Sequence, residues 1–127
     1  MLAHADGSII TVNGSFVHRL DPDDCSVLAE RRLPVDRSHN GLLALSDGTL
    51  VTKDLRLEGQ GGTSITRLDP TTLEVIDEPL VLPEGSMGRI AADRTPTGDH
   101  VYVPGTEHLW RLVAEDGRLT VDDWRPR

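Results

Sequence analysis

The sequence predicts an all-β fold, three four-stranded antiparallel units in tandem with essentially no helix, and three observations predict it. First, the chain repeats itself. Arg19-Leu20-Asp21-Pro22 returns 48 residues on as Arg67-Leu68-Asp69-Pro70, and the run from Leu2 to Thr11 lies on the run from Leu43 to Thr52 at an offset of 41. A period of this size marks tandem supersecondary units. Second, turn chemistry recurs between short apolar runs: Asp6-Gly7 and Asp47-Gly48, then Asp21-Pro22 and Asp69-Pro70. Third, no long stretch carries the 3.6-residue apolar period of an amphipathic helix.

The elements follow in order. In the first unit the strands are expected at Leu2 to Ala5, Ser8 to Val12, Phe16 to Leu20 and Ser26 to Leu33. In the second they are expected at Gly41 to Leu45, Thr49 to Lys53, Ser64 to Leu68 and Leu73 to Leu82, with Pro79 a point of interruption. The third copy is more diverged, with strands at Arg89 to Asp93, His100 to Pro104, His108 to Val113 and Arg118 to Trp124. The best-preserved hairpin is His39 to Thr52, whose Asp47-Gly48 predicts a two-residue turn because that pair tolerates positive φ. The Asp-Pro turns rest on proline's fixed φ at the second turn position and on an aspartate that bonds the turn backbone from the first. Unit boundaries fall at 1–34, 35–83 and 84–127, within one domain. With the four strands of each unit lettered A to D in order, the remaining A-to-B and C-to-D turns are placed at Arg94 to Asp99 and at Glu115-Asp116-Gly117.

Composition excludes some functions. Of 127 residues, 21 are acidic and 13 basic, a formal charge of −8 with the acids scattered. Nucleic acid and anionic membrane surfaces are therefore not expected partners, since both require a concentrated positive face. The longest apolar run, Leu42 to Leu45, is far too short to insert in a membrane. The single cysteine, Cys25, has no internal disulfide partner and no companion at metal-ligand spacing. With no basic, apolar leader at Met1 to Asp6, the cytoplasm is the expected compartment.

Leu68-Asp69-Pro70, Leu73-Glu74-Val75-Ile76, Leu82-Pro83-Glu84-Gly85, Ile90-Ala91 and Gly98-Asp99-His100-Val101-Tyr102-Val103 follow one another along the chain. This series resembles the YVTN-type repeat of surface-layer-like and quinoprotein-like β-propellers, with similarity also to the gluconolactonase-like superfamily. The resemblance implies that the three units are propeller blades and says little of function, because propellers host unrelated chemistries. It does not extend to WD or kelch repeats. A Trp-Asp ending is missing, Asp123-Trp124 being reversed, and Gly61-Gly62 lacks the aromatics that follow a kelch pair. Nor is the tryptophan docking motif of pyrroloquinoline-quinone enzymes present, so that cofactor is not implied.

Three blades leave two terminal faces without a neighbour, whereas closed propellers have 4 to 8 blades. Five apolar side chains per face would forfeit on the order of 10 kcal/mol, as much as the whole stability of an ordinary domain. Further blades of a longer chain, or a second copy, are therefore expected to close the ring. The start inside a first strand favours the longer chain.

In such a fold the D-to-A and B-to-C loops share one face, around the mouth of the axial channel. They comprise Asn13 to Ser15, Val35 to Asn40, Lys53 to Thr63, Gly85 to Arg89 and Gly105 to Glu107. His39, Asn40, Lys53, Asp54, Arg56 and Arg89 are the candidate ligand-binding residues. His39 and Asn40 offer an imidazole nitrogen and a carbonyl oxygen, a suitable pair for a divalent cation. Equally, Asn40-Gly41 is turn or bulge chemistry, and Lys53-Asp54 is an ordinary surface ion pair. His4, His18, His100 and His108 have no partner near in sequence. A nucleophile elbow, a phosphate loop and a His-Glu-x-x-His motif are all missing. The leading expectation is a rigid scaffold binding a small polar ligand or a protein. The alternative is a fragment of a metal-assisted lactonase or lyase with its site at the channel mouth.

Overall fold

The structure, a computed structural model, describes all residues except 5, 58, 97, 116, 117 and 123–127. Twelve strands run in chain order among the described residues, with no helix. The first sheet comprises β1 (Leu2–Ala3), β2 (Ile9–Asn13), β3 (Phe16–Leu20) and β4 (Val27–Arg32). The second comprises β5 (His39–Ala44), β6 (Leu50–Asp54), β7 (Ser64–Leu68) and β8 (Leu80–Val81). The third comprises β9 (Ala91–Thr95), β10 (Gly98–Pro104), β11 (Leu109–Glu115) and β12 (Arg118–Val121). Each is an antiparallel meander in sequence order, and the three do not close into a barrel. Trp124, expected to end the last strand, and the turn residues 116–117 lie outside the described residues. No helix among the described residues is long and apolar enough to cross a membrane.

Alternation explains how the sheets stack. Successive side chains of a strand point to opposite faces, so in β6 Leu50 goes one way and Val51 the other. Leu50, Leu68, Leu42 and Ala44 join Ile10 and Val17 of the first sheet, and Leu33 just after it, in one core. Val51, Ile65, Leu82 and Leu43 join Val101, Val103, Trp110 and Leu112 of the third sheet in a second core. The middle sheet is thus covered on both faces, and every residue of β6 and β7 is buried.

Three local details depart from expectation. The Asp-Gly hairpins close with a three-residue loop: Leu45 N–H donates to the Thr49 carbonyl and Gly48 N–H to the Leu45 carbonyl, with positive φ at Gly48 and not at Asp47. Asp47 is held there because its Oδ1 accepts from Thr49 N (3.0 Å) and Oγ1 (2.6 Å). The fourth strand of the second unit shrinks to Leu80–Val81 plus a lone Val75 bridge to Leu68, as a proline without an N–H at 79 favours. In the third unit β9 and β10 reach Thr95 and Gly98, so the turn is tighter than the expected span of 94–99.

The repeat is also written in hydrogen bonds. Arg19 Nη2 meets Asp6 Oδ2 at 2.8 Å and its Nε donates to Ser8 Oγ at 3.2 Å. Arg67 does the same with Asp47 (2.6 Å) and Thr49 (3.1 Å). Both Asp-Pro turns are five-residue turns in which Cys25 and Leu73 donate to the Asp21 and Asp69 carbonyls. Those two residues, 48 apart, are the only non-glycine residues with positive φ among those described, at 60° and 64°.

Candidate functional site

The loops assigned to one face do meet, through backbone bonds that link each unit to the next. His39 N–H donates to Gly14, Leu55 to Ser38, Arg56 to Ser86 and Thr106 to Gly85. Each couples a B-to-C loop with a D-to-A linker. A bulge at Gly41, φ +84°, lets His39 and Asn40 pair with Asp54 and Lys53 while Leu42 already faces Thr52.

Strand alternation then divides the four candidate residues on β5 and β6 between two clusters. Asn40 and Lys53 point toward the third sheet. Lys53 is fully buried, and its Nζ donates to Asn40 Oδ1 (2.6 Å) and to the carbonyls of Asp54 and Ser86 (3.2 Å each). Three donors meet three acceptors, so the ammonium ties β5, β6 and the 84–89 linker together. Burial lowers its pKa to about 8, against a smaller upward pull from Asp54. Asn40 completes the tie by donating Nδ2 to the Met87 carbonyl at 3.0 Å.

His39 and Asp54 point toward the first sheet. The Asp54 carboxylate, fully buried, accepts from Thr63 Oγ1 (2.6 Å), Ser64 N (2.8 Å) and Arg56 Nε (2.7 Å). Burial alone would raise its pKa, but these three donors outweigh it and hold the carboxyl below its usual range. The expected Lys53–Asp54 side-chain pair is therefore replaced by two separate networks, since neighbours on a strand face apart.

His39 is 7% exposed. Its Nδ1 lies 2.8 Å from the Arg37 carbonyl and 3.3 Å from that of Gly14. Two acceptors around Nδ1 place the ring proton there and leave Nε2 an acceptor. Burial lowers the ring's pKa, more than the two carbonyls raise it, so the imidazole is neutral. Nε2 is buried with no hydrogen-bond partner among the described residues.

His39 lines a recess of about 440 Å³ along the leading edges of the sheets: Met1 and Val12 from the first, residues 39–42 from the second, Arg89 and Ile90 ahead of β9. Arg89 is exposed. It has no ion pair or hydrogen bond among the described residues, and no carboxylate lines the recess. Of the six candidates, His39 and Arg89 keep a group with no partner among the described residues; Asn40, Lys53 and Asp54 are saturated within the fold, and Arg56 is tied to Asp54 and to the Gln60 carbonyl.

A divalent cation does not fit His39 with Asn40. The two side chains leave opposite faces of β5, and Asn40 Oδ1 already holds an ammonium at 2.6 Å. No group of three or more His, Cys, Asp or Glu side chains suited to a metal occurs among the described residues.

The strongest unforeseen feature is Glu84. Its carboxylate accepts from Thr106 Oγ1 (2.8 Å), Glu107 N (2.7 Å), His108 N (3.1 Å) and Trp110 Nε1 (2.6 Å). Burial pushes its pKa up, yet these donors pull it down to about 2. The sequence signal, Leu82-Pro83-Glu84-Gly85, marks only a linker, because the partners lie 22 to 26 residues away.

Fold and site together define an all-β stack of three meanders with a basic recess at its leading edge. No protein-family model, no curated protein and no solved structure matches the chain.

Proposed function

We propose that the three sheets are blades of a partial β-propeller, of the YVTN-repeat or gluconolactonase-like kind, and that the chain is a rigid scaffold binding a small polar anion at the recess beside β5. The observation that carries this is that His39 and Arg89, the two candidates with an unused group, line one concavity. In a chain of formal charge −8, Arg89 stands without a carboxylate, and the buried His39 Nε2 stands without a donor. An unsatisfied buried acceptor is costly, about 1 to 3 kcal/mol, and a ligand hydroxyl that reaches it as the ring shifts toward the recess would relieve it. A guanidinium binds a carboxylate through two parallel N–H bonds.

The chemistry that satisfies both is a hydroxy acid or sugar acid, its carboxylate on Arg89 and a hydroxyl on His39. Rigidity supports the same reading. Lys53 and Asn40 are spent on tying β5 to the 84–89 linker beside the recess, which limits the ordering cost of binding. D-Gluconate, titrated into the protein by calorimetry, is expected to bind, and neutral D-glucose is not. Arg89→Ala should abolish the gluconate signal. Equal binding of the two sugars, or gluconate binding that survives Arg89→Ala, would refute the reading.

A further inference from the structure

The first sheet presents to solvent the face that its counterpart in the second sheet buries. Toward the first sheet, the second sheet turns Ala44, Leu50, Thr52, Leu68 and Val75. The residues at the same places in the first repeat are Ala3, Ile9, Thr11, Leu20 and Val27. Identity or near-identity holds at all five, yet these five face outward, Val27 being 56% exposed and neighbouring Phe16 38%. A position kept apolar in both copies but covered in only one implies a covering sheet for the other.

The third sheet carries the matching cover. The faces that pack forward are built around an apolar residue and an arginine two places on in the third strand: Val17 and Arg19, Ile65 and Arg67. In β2 and β6, Ile10 and Val51 pair with those arginines. On the outer face of the third sheet the same pattern stands as Leu109 and Arg111, with Tyr102 paired to Arg111. Val101, Val103, Trp110 and Leu112 take the inner face, so Tyr102, Leu109 and Arg111 point away from the second sheet. Arg111 is held by Asp122 at 2.6 Å, as Arg67 is by Asp47.

We infer that two copies of this chain join head to tail, the outer face of each third sheet seated on the outer face of the other's first sheet. The contact repeats the stacking already present between the first and second sheets, and two such contacts close the pair. A face of four five-residue strands measures roughly 16 by 19 Å, so two contacts cover on the order of 1,200 Å², within the range of stable interfaces. Because the contact is heterologous, it must close on itself or run on as a polymer.

Sedimentation equilibrium of the whole 127-residue chain at micromolar concentration should give twice the monomer mass. Phe16→Glu with Val27→Glu should weaken association at least 100-fold, with the far-UV circular dichroism unchanged. Tyr102→Glu, on the opposite face, should do the same and serves if the first pair misfolds. Ile76→Glu, an exposed apolar position on neither face, should leave the dimer intact. A monomer at 0.1 mM, an open-ended series of larger species, or a dimer indifferent to both sets of variants would overturn the inference.

Discussion

Replacing Glu84 by glutamine tests whether a single carboxylate locks the third sheet's B-to-C loop to the linker ahead of it. The carboxylate receives four donors, two on each oxygen, and its side chain is 13% exposed. Either orientation of the new amide turns an NH₂ group toward two of those donors. At about 1 to 2 kcal/mol for each donor left unpaired, the lower part of the usual range because the site is partly open, the cost at pH 7 is about 2 to 4 kcal/mol. The pH dependence gives an independent estimate. Folding lowers this carboxyl from 4.5 to about 2, so the folded state binds fewer protons than the unfolded state between those values. Its stabilisation is complete above pH 4.5 and is lost as pH falls toward 2. The full shift corresponds to about 3 kcal/mol, and solvent at the open flank reduces that to about 2 kcal/mol. Urea unfolding of both proteins at pH 7 and at pH 2.5 is the assay. The difference between them should be about 2 to 4 kcal/mol at pH 7 and should shrink by about 2 kcal/mol in acid. A difference under about 0.5 kcal/mol at pH 7, or one that does not change with pH, would refute the reasoning.

Other expectations follow from the same structure. Lys53→Ala removes a buried ammonium and strands Asn40 Oδ1 with two carbonyls; a loss of about 3 to 5 kcal/mol is expected by urea unfolding, and a loss below about 1 kcal/mol would show that Lys53 is not the tie described. Cys25→Gly relieves a side chain at φ 60° on an exposed turn and should stabilise by about 0.5 to 1 kcal/mol, whereas Leu73→Gly, at the same φ but fully buried, should destabilise by about 2 to 4 kcal/mol. Arg67→Ala should cost more than Arg19→Ala, since the side chains are 6% and 19% exposed and Arg67 holds a second carboxylate, Asp77, at 3.2 Å; thermal melts giving the reverse order would count against burial and the second pair as the deciding factors. Calcium or manganese at millimolar concentration should leave the melting temperature unchanged, and a clear upward shift would restore the cation reading for His39.

Strand pattern and repeat were legible because both are local. The Asp-Gly and Asp-Pro pairs stand at the turns expected of them, whereas the burial of the middle sheet on both faces, Leu50 on one side and Val51 on the other, emerges only from the stacking. Loop geometry was less legible. Asp47-Gly48 suits a two-residue turn by propensity, but its side-chain bonds to Thr49 favour the three-residue form. Lys53-Asp54 reads as an ion pair along the sequence and fails as one because a strand sends neighbours to opposite sides. Glu84 was invisible for a different reason: its four donors come from another sheet, and no local spacing signals a contact made by stacking. His39 was legible as a candidate through its place at the head of the best-preserved hairpin. That its Nε2 would be buried and bare depends on Gly14 and Arg37 capturing Nδ1, a tertiary fact.

The most direct test of the central claim is the ¹⁵N resonance of His39 Nε2, followed as D-gluconate is added at pH 7. The account predicts a neutral Nδ1–H ring whose Nε2 signal moves upfield as a ligand hydroxyl begins to donate to it, with no such movement in Arg89→Ala. An Nε2–H ring in the free protein, or an Nε2 signal indifferent to saturating gluconate, would contradict it.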